Sequence, residues 1–119
     1  MAEYKEKRRY PRYACDTGVR IQLDKSTGGF WGTLSDISFG GCYIYTFSPL
    51  PLGQSVTLAI KANTKEINVG GTIVSSHPGV GMGIAFGNFP VQDSETTLKS
   101  YIDQLAAQPK SQQAQGVFH

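Results

Sequence analysis

Residues 80–86 of this 119-residue chain read Val80-Gly81-Met82-Gly83-Ile84-Ala85-Phe86. Side chains alternate between the two faces of a β-strand, so the bulky residues at even positions share one face. Glycine and alanine occupy the other face, which predicts that a helix, a loop or a ligand packs closely against it. This stretch therefore predicts a strand with the protein core on one side and a closely covered, nearly bare surface on the other.

Five segments upstream show the same two-residue period and are predicted to be strands. They run from Tyr13 to Leu23, from about Phe30 to Ser38, from Cys42 to Phe47, from Val56 to Ile60 and from Ile67 to Val74. The turn-forming cluster Asp24–Gly29 predicts a hairpin, and the prolines of Ser48–Gly53 predict a loop because proline cannot donate to a central ladder. Six short strands in one small domain favour a closed or nearly closed β-barrel, which leaves no exposed strand edge.

Two local details of these strands are predicted as well. In the second strand, the period places Leu34 and Ile37 on opposite faces. In the fifth strand, Gly70-Gly71 indicates a β-bulge.

The period changes from 2 to 3.6 only near the end of the chain, where the apolar residues predict an amphipathic helix. They are Leu98, Tyr101, Ile102 and Leu105. Asp93 or Ser94 is the predicted N-cap, and the helix is predicted to end near Ala107. We therefore expect three segments: a mobile basic arm at 1–12, a barrel with its helix at 13–107, and a disordered tail at 108–119.

Composition and charge place the chain among globular proteins with one basic segment. Hydrophobic residues make up 39% and charged residues 17% of the chain. No apolar run approaches the roughly 18 residues that a membrane span needs, and the first residues lack the apolar core of a secretory signal, so we expect a cytoplasmic protein without membrane insertion. Residues 1–12 carry a net charge of +3, and the rest of the chain carries −1. The near-neutral body argues against a polymeric nucleic acid as the partner.

The sequence contains no recognisable catalytic or metal-binding pattern. Cys15 and Cys42 lie far apart without a histidine pattern, so they are predicted to be free, partly buried thiols rather than zinc ligands. Ser38 lacks the glycine that precedes a nucleophile elbow, and His77 precedes Pro78-Gly79, where it is predicted to be a solvated turn residue. We therefore expect a protein that is not an enzyme and that holds neither a metal nor a cofactor.

Two short motifs have the chemistry to bind an anionic ligand that carries rings. The first is Arg8-Arg9-Tyr10-Pro11-Arg12, and the second is Asp36-Ile37-Ser38-Phe39-Gly40-Gly41. Arginine binds phosphate with two parallel hydrogen bonds and stacks on aromatic rings, and proline stiffens the arginine segment. Aspartate accepts paired N–H bonds, and a turn with serine and glycine brings a hydroxyl and bare backbone towards a phosphate.

In these motifs the chain resembles the PilZ domain family of bacterial cyclic di-GMP receptors. The RxxxR motif of that family falls on Arg8 and Arg12, with Arg9 as its common additional arginine. The (D/N)xSxxG motif falls on Asp36, Ser38 and Gly41, and the late glycine-rich strand of the family matches Gly81–Phe86. The resemblance extends over about residues 7–105. It implies an all-β fold, a six-stranded antiparallel barrel with one C-terminal α-helix.

The resemblance also implies a role for each motif residue in binding cyclic di-GMP. Arg8 and Arg12 would hold phosphates and stack on guanine, and Arg9 would add a further contact of this kind. Asp36 would accept hydrogen bonds from the guanine N1–H and amino group. Ser38 would form a hydrogen bond with the ligand, and Gly41 would allow close approach of the backbone. Gly83, on the bare face of the sixth strand, is a further candidate for ligand contact. Binding would order the arginine arm over the barrel and so signal to a partner protein not yet identified.

Two other functions and one question of stoichiometry stay open at this point. The domain would be a protein-interaction adaptor if it kept the barrel without binding nucleotide. It would be a small binder of single-stranded nucleic acid if Tyr10, Tyr13 and Trp31 served as stacking platforms. Within the PilZ family, receptors for one cyclic di-GMP and for a stacked pair both exist, and Lys7 before the arginine motif favours the pair.

Overall fold

The computed structural model describes residues 10–23 and 28–107. Six strands and one helix make up this part of the chain. Their bounds are β1 Tyr13–Leu23, β2 Gly29–Ile37, β3 Gly41–Tyr45, β4 Ser55–Ala62, β5 Lys65–His77, β6 Gly81–Phe86 and α1 Ser94–Ala106. All six predicted strands and the predicted helix are therefore confirmed.

The six strands close into one antiparallel barrel in the order β1-β2-β3-β6-β5-β4. Hairpins join β1 to β2, β2 to β3, β4 to β5 and β5 to β6, and β1 pairs with β4 to close the cylinder. Closure leaves no strand of the barrel with an open edge, as the sequence predicted. The fold class implied by the family resemblance, an all-β barrel with one C-terminal helix, is confirmed.

The core fills the inside of the barrel and continues beneath the helix. Every strand contributes inward-facing apolar side chains, among them Ile21, Leu34, Ile44, Leu58, Ile73 and Met82, all at most 1% exposed. The apolar face of α1 packs against β5 and β1 and buries the four residues that the helical period predicted. Burying a side chain of this size contributes about 1.5–3 kcal/mol, so core burial is the main source of stability. No helix within the described residues is long and apolar enough to cross a bilayer.

The start of α1 follows the prediction in position but not in mechanism. Asp93 is the N-cap residue, with φ of 75°, and its side chain makes no capping hydrogen bond. Its backbone carbonyl instead accepts from both the N–H and the hydroxyl of Thr97, each at 2.9 Å. The hydroxyl of Ser94 accepts from the Asn68 N–H at 3.1 Å, so Ser94 ties the helix to β5 rather than capping it.

The predicted alternation of Leu34 and Ile37 is wrong, because both side chains are fully buried. The register of β2 against β3 shifts between Leu34 and Asp36, with Ser35 as the extra residue. A bulge of this kind changes the face of every residue beyond it. It therefore turns Ile37 into the core and leaves Asp36 on the outside of the barrel.

The predicted bulge at Gly70-Gly71 is also wrong. Both glycines pair regularly with β4, and the register of β5 against β6 shifts only between Ile73 and Ser75. The two glycines are explained by close packing: a Cβ at Gly70 would overlap the side chain of Asn88, and one at Gly71 would lie 2.7 Å from the carbonyl oxygen of Ala85.

Several strand ends differ from the prediction. β3 ends at Tyr45, before Phe47, and β5 continues to His77, which was predicted to lie in a turn. Val80 lies in the β5–β6 turn and is 54% exposed, so it does not share the core face with Met82 and Ile84. Each difference concerns a residue next to a turn, where the two-residue period no longer decides which way a side chain faces.

Candidate functional site

The β2–β3 hairpin carries the Asp-x-Ser-x-x-Gly motif at one end of the barrel. Asp36 is half-buried on the outer side, between Ala14 of β1 and Tyr43 of β3. Ser38 and Gly41 form the base of the connecting turn, where the Ser38 N–H donates to the Gly41 carbonyl at 2.8 Å. The bulge at Ser35 is what turns Asp36 outwards next to this turn.

The hydroxyl of Ser38 holds the shape of this turn. It is only 6% exposed; it accepts from the Gly40 N–H at 3.1 Å and donates to the Gly41 carbonyl at 3.3 Å. A hydroxyl has one donor and two acceptor sites, so one acceptor site remains after these two bonds. In the structure, Ser38 therefore organises the turn, and a ligand bond to it would use this remaining capacity.

The two glycines among the predicted site residues face protein atoms in the structure. A Cβ at Gly41 would overlap the carbonyl oxygen of Ile84 on β6, and one at Gly83 would lie 2.5 Å from the hydroxyl of Ser75. The Gly83 N–H also donates to that hydroxyl at 3.0 Å. Both glycines are thus required by contacts between strands, whatever their relation to a ligand.

The nearly bare face of β6 is covered by its two neighbouring strands, not by a helix or a loop. The ring of Tyr43 on β3 lies over Gly81, with Cε2 2.7 Å from where a Cβ would be. Ser75 on β5 covers Gly83 in the same way. The Tyr43 hydroxyl is hydrogen-bonded to Nδ1 of His77 at 2.9 Å. This contact joins β3 to β5 across the glycines of β6.

The arginine motif reaches the hairpin turn through Tyr10. Its ring meets the ring of Phe39 edge-on, with centroids 6.0 Å apart and planes at 62°. A Cβ at Gly40 would lie 3.1 Å from Cδ2 of Tyr10, so the tyrosine ring also covers this glycine. Arg12, two residues later, is exposed and immediately precedes β1. Arg8 and Arg9 lie outside the described residues, as does Lys7.

Opposite charges of the two motifs act on the same buried thiol. Burial raises the pKa of Cys42 well above its usual value, and the Asp36 carboxylate raises it further. The Arg12 guanidinium lowers the pKa of Cys42. The two motifs therefore act on the pKa of Cys42 in opposite directions, as expected for a negative and a positive charge.

Both cysteines are free in the structure, as predicted. Burial, with a contribution from Asp36, raises the pKa of Cys15 to about 12, which leaves almost none of the reactive thiolate at neutral pH. Within the described residues, no three His, Cys, Asp or Glu side chains are grouped so that they could hold a metal ion.

We predict that stability falls as the pH rises above about 9. The Cys15 thiol has its ordinary pKa of 9.0 in the unfolded chain, whereas burial raises the pKa to about 12 in the folded protein. Unfolding therefore releases protons in this range, and alkali favours the unfolded state. Burial likewise raises the pKa of Tyr101 to about 12. The urea midpoint, measured at pH 8 and at pH 10.5, should be lower at the higher pH, and the decrease should be smaller in Cys15→Ser. An unchanged midpoint in the wild type would contradict this assignment.

Two clefts of the described surface lie apart from the motifs. They have volumes of about 250 and 370 Å³ and flank α1, and Asn63, Tyr101 and Gln104 line both of them. Neither is lined by Arg12 or by the Asp36–Gly41 motif. Neither cleft is therefore formed by these motifs.

The sequence did not indicate three residues near the motifs as contacts for cyclic di-GMP. They are Tyr10, Tyr43 and His77. Tyr10 appeared only as one of three aromatic residues considered for nucleic-acid binding. The position of Tyr10 inside the arginine motif is the sequence feature that could have indicated it as part of the site. The partnership of Tyr43 with His77 joins residues 34 positions apart and has no local sequence signal.

Solved structures with the same fold include domains from several bacterial proteins. The chain is similar to the PilZ domain of CeSA from a cellulose-synthesizing bacterium, with a TM-score of 0.65 and 17% identity over 81% of this chain and 98% of that one. It is also similar to the PilZ domain of YcgR from Escherichia coli, solved with c-di-GMP. The TM-score is 0.68 and the identity is 16%, over 83% of this chain and 91% of that one. The MrkH–c-di-GMP complex from K. pneumonia gives a TM-score of 0.66 and 19% identity over 83% of this chain and 51% of that one.

At these identities, the similarities establish a shared fold. A search of curated proteins finds no significant match to the chain. The family model described as the PilZ domain matches residues 6–104, which include both motifs, all six strands and most of α1. The chain therefore belongs to the PilZ domain family.

Proposed function

We propose that this domain is a receptor for cyclic di-GMP that binds the nucleotide between its arginine motif and the β2–β3 hairpin. The observation that carries the proposal is the packing of Tyr10 on Phe39 and Gly40, which brings the two motifs together. The solved structures of the YcgR PilZ domain and of MrkH with c-di-GMP support the same ligand.

The two motifs offer complementary chemistry to the two parts of this ligand. Arg12, with Arg8 and Arg9, supplies guanidinium groups for the phosphates and planar surfaces for the bases. Asp36 supplies paired acceptors for the N1–H and amino group of guanine. Ser38 supplies the remaining acceptor site of its hydroxyl, or a hydrogen bond gained by exchanging its partner in the turn. The glycines Gly41 and Gly83 keep the adjoining strands close enough to place these groups.

Binding acts in this proposal as a signal rather than as a step in catalysis. The arginine side chains repel one another until the ligand phosphates neutralise them, and the arm then orders over the barrel. Tyr10 already contacts the turn, so we propose that ordering extends outwards from this contact towards Arg8 and Arg9. The ordered arm presents a new surface to a downstream protein in the cytoplasm. No metal or cofactor takes part.

Ligand-dependent thermal stability tests the proposed ligand. Anything that binds only the folded state stabilises it, by about 2.7 kcal/mol at a concentration of 100 Kd. We therefore expect the melting temperature to rise with cyclic di-GMP concentration and to stay constant with GMP at equal nucleotide and salt concentration. A melting temperature that responds to neither nucleotide, or equally to both, would contradict the proposal.

Exposed apolar side chains that follow β3 support the adaptor as a second candidate. Phe47 is 84% exposed where the chain leaves β3, and Leu52 is 66% exposed in the following loop. Phe47 lies beyond the end of β3 that is opposite the hairpin turn. The adaptor would be favoured by a partner protein that needs these side chains and binds with the same affinity in the presence and absence of cyclic di-GMP. A partner that binds only with the nucleotide would favour the receptor.

We predict that Tyr10→Ala weakens cyclic di-GMP binding about 2- to 10-fold. An edge-on aromatic pair contributes about 0.5–1.5 kcal/mol. Without the pair of Tyr10 with Phe39, the ligand must supply the free energy that orders the arginine segment, and its affinity falls by the corresponding factor. Fluorescence or calorimetric titration measures the change. Trp31→Ala is the matched control, because Trp31 is another exposed aromatic residue and lies on β2 away from the turn. Equal affinity of Tyr10→Ala and wild type would show that the contact does not prepare the site.

A further inference from the structure

Tyr43 occupies a central place on the outer surface of the barrel next to the predicted guanine acceptor. Its chain neighbours Cys42 and Ile44 are buried in the core, so the Tyr43 side chain points outwards. On one side it pairs with Asp36 of β2, and on the other with Gly83 of β6. Directly opposite residues in adjacent strands have Cβ atoms about 4.5–5.5 Å apart. The side chain of Tyr43 therefore starts close enough to Asp36 to contact a group that is bound there.

The ring of Tyr43 is held in place from several directions. Below it lie Gly81 and Gly83, and a Cβ at Gly81 would lie 2.7 Å from Cε2 of the ring. Its hydroxyl is fixed by the hydrogen bond to His77 at 2.9 Å, and the two rings are 5.9 Å apart. Tyr45 meets the ring edge-on at 6.0 Å. The ring is therefore already ordered, and it is only half-buried.

This arrangement suits a planar group that is hydrogen-bonded at Asp36. A carboxylate that accepts two N–H bonds from one edge of a purine fixes the position of that edge and leaves both faces of the base to be covered. An aromatic side chain that is already ordered stacks on a base without a large loss of conformational freedom. Within the described residues, the ring paired with Asp36 across the strands is that of Tyr43.

We propose that Tyr43 is the stacking platform for the guanine base bound by Asp36, with His77 positioning its ring. The inference rests on the proposed cyclic di-GMP function and adds a contact that neither sequence motif contains. Gly81 then has a defined purpose: it leaves room for the platform to lie flat on the barrel. The hydroxyl of Tyr43 is used to orient the ring, and its aromatic face binds the base.

The test compares the affinity of wild type, Tyr43→Ala, Tyr43→Phe and Tyr43→Leu for cyclic di-GMP by calorimetric titration. Loss of one base–aromatic stack is expected to weaken binding about 5- to 100-fold in Tyr43→Ala. Tyr43→Phe keeps the aromatic face and should bind within about threefold of wild type. Tyr43→Leu covers the glycines without an aromatic face and should bind as weakly as the alanine variant. Phe47→Ala, which changes an exposed aromatic residue beyond the end of β3, is the control and should bind like wild type.

A second readout separates stacking from a merely structural effect. The guanine H8 resonance of bound cyclic di-GMP should move upfield in wild type and in Tyr43→Phe because of the ring current, and this shift should be smaller in Tyr43→Leu. If Tyr43→Ala fails to fold, the comparison of phenylalanine with leucine decides the question. Equal affinity and equal H8 shifts in these two variants would overturn the platform. Failure of wild type to bind cyclic di-GMP would instead overturn the proposed function, and the platform with it.

Discussion

Arg12→Ala is expected to weaken cyclic di-GMP binding about 10- to 100-fold. A hydrogen bond between a guanidinium and a phosphate contributes about 1.5–3 kcal/mol, and alanine removes every side-chain donor at this position. Arg12 is exposed, so the substitution should change the free energy of unfolding by no more than about 0.5 kcal/mol. The loss should therefore appear in the ligand affinity and not in the melting temperature of the free protein.

Arg20→Ala is the matched control for this prediction. Arg20 is also an exposed arginine of the same part of the chain, but it lies on β1 opposite Trp31, far along the strand from Asp36. If the two substitutions weaken binding equally, the arginines act only through net charge, and the effect should then disappear at high salt. A wild-type affinity in Arg12→Ala would remove Arg12 from the site.

The second large effect is expected from Gly41→Ala, which should lower the melting temperature by about 5 to 20 °C. A Cβ at this position overlaps the backbone carbonyl of Ile84, and a backbone atom in a paired strand cannot move aside as a flexible side chain can. Overpacking of this kind costs about 1–3 kcal/mol, which in a domain of this size corresponds to such a shift. Differential scanning calorimetry or circular dichroism measures it directly.

Gly18→Ala provides the control for the loss of a strand glycine. Gly18 lies in β1, and a Cβ there would meet the Trp31 ring at an ordinary contact distance of 3.8 Å. We expect its melting temperature to stay near that of wild type. The pair of variants also separates two roles of Gly41. If Gly41→Ala keeps its melting temperature and loses only ligand binding, the glycine serves ligand approach and not the packing of β3 against β6.

The regular parts of the fold follow from local sequence patterns. The alternation over Val80–Phe86 predicted β6, and the 3.6-residue period around Leu98 and Tyr101 predicted α1, because in both elements the core is reached by side chains at fixed spacings. These patterns were reliable in the regular part of each element, and they failed at a bulge, as for Ile37, and next to a turn, as for Val80.

The errors arise where the conformation depends on a neighbouring strand. The bulge at Ser35 is a mismatch in register between strands, and it reverses the predicted face of Ile37. Gly70 and Gly71 suggested a bulge because glycine occurs in strands both at bulges and where another part of the backbone packs closely. Only the three-dimensional contacts distinguish the two cases. Local patterns contain neither kind of information.

The candidate site shows the same division. The chemistry of Asp36 and Arg12 is visible in the sequence, because the arginines of one motif suggest an anionic ligand and the aspartate of the other suggests a group with paired N–H donors. The contact of Tyr10 with the turn and the hydrogen bond of Tyr43 to His77 depend on how the barrel closes. The structure also gives Ser38 and Gly41 intramolecular tasks, which the motif alone does not show.

The central claim is that the two motifs bind one nucleotide together, and calorimetric titration of the 119-residue chain with cyclic di-GMP tests it most directly. We predict a saturable heat at tens of micromolar protein, a molar ratio of one or two nucleotides per chain, and weaker binding in both Arg12→Ala and Asp36→Ala. Loss of both side chains should weaken binding by less than the product of the two single effects, since the groups hold the same ligand. Absence of any saturable heat with the folded wild-type protein would contradict the account.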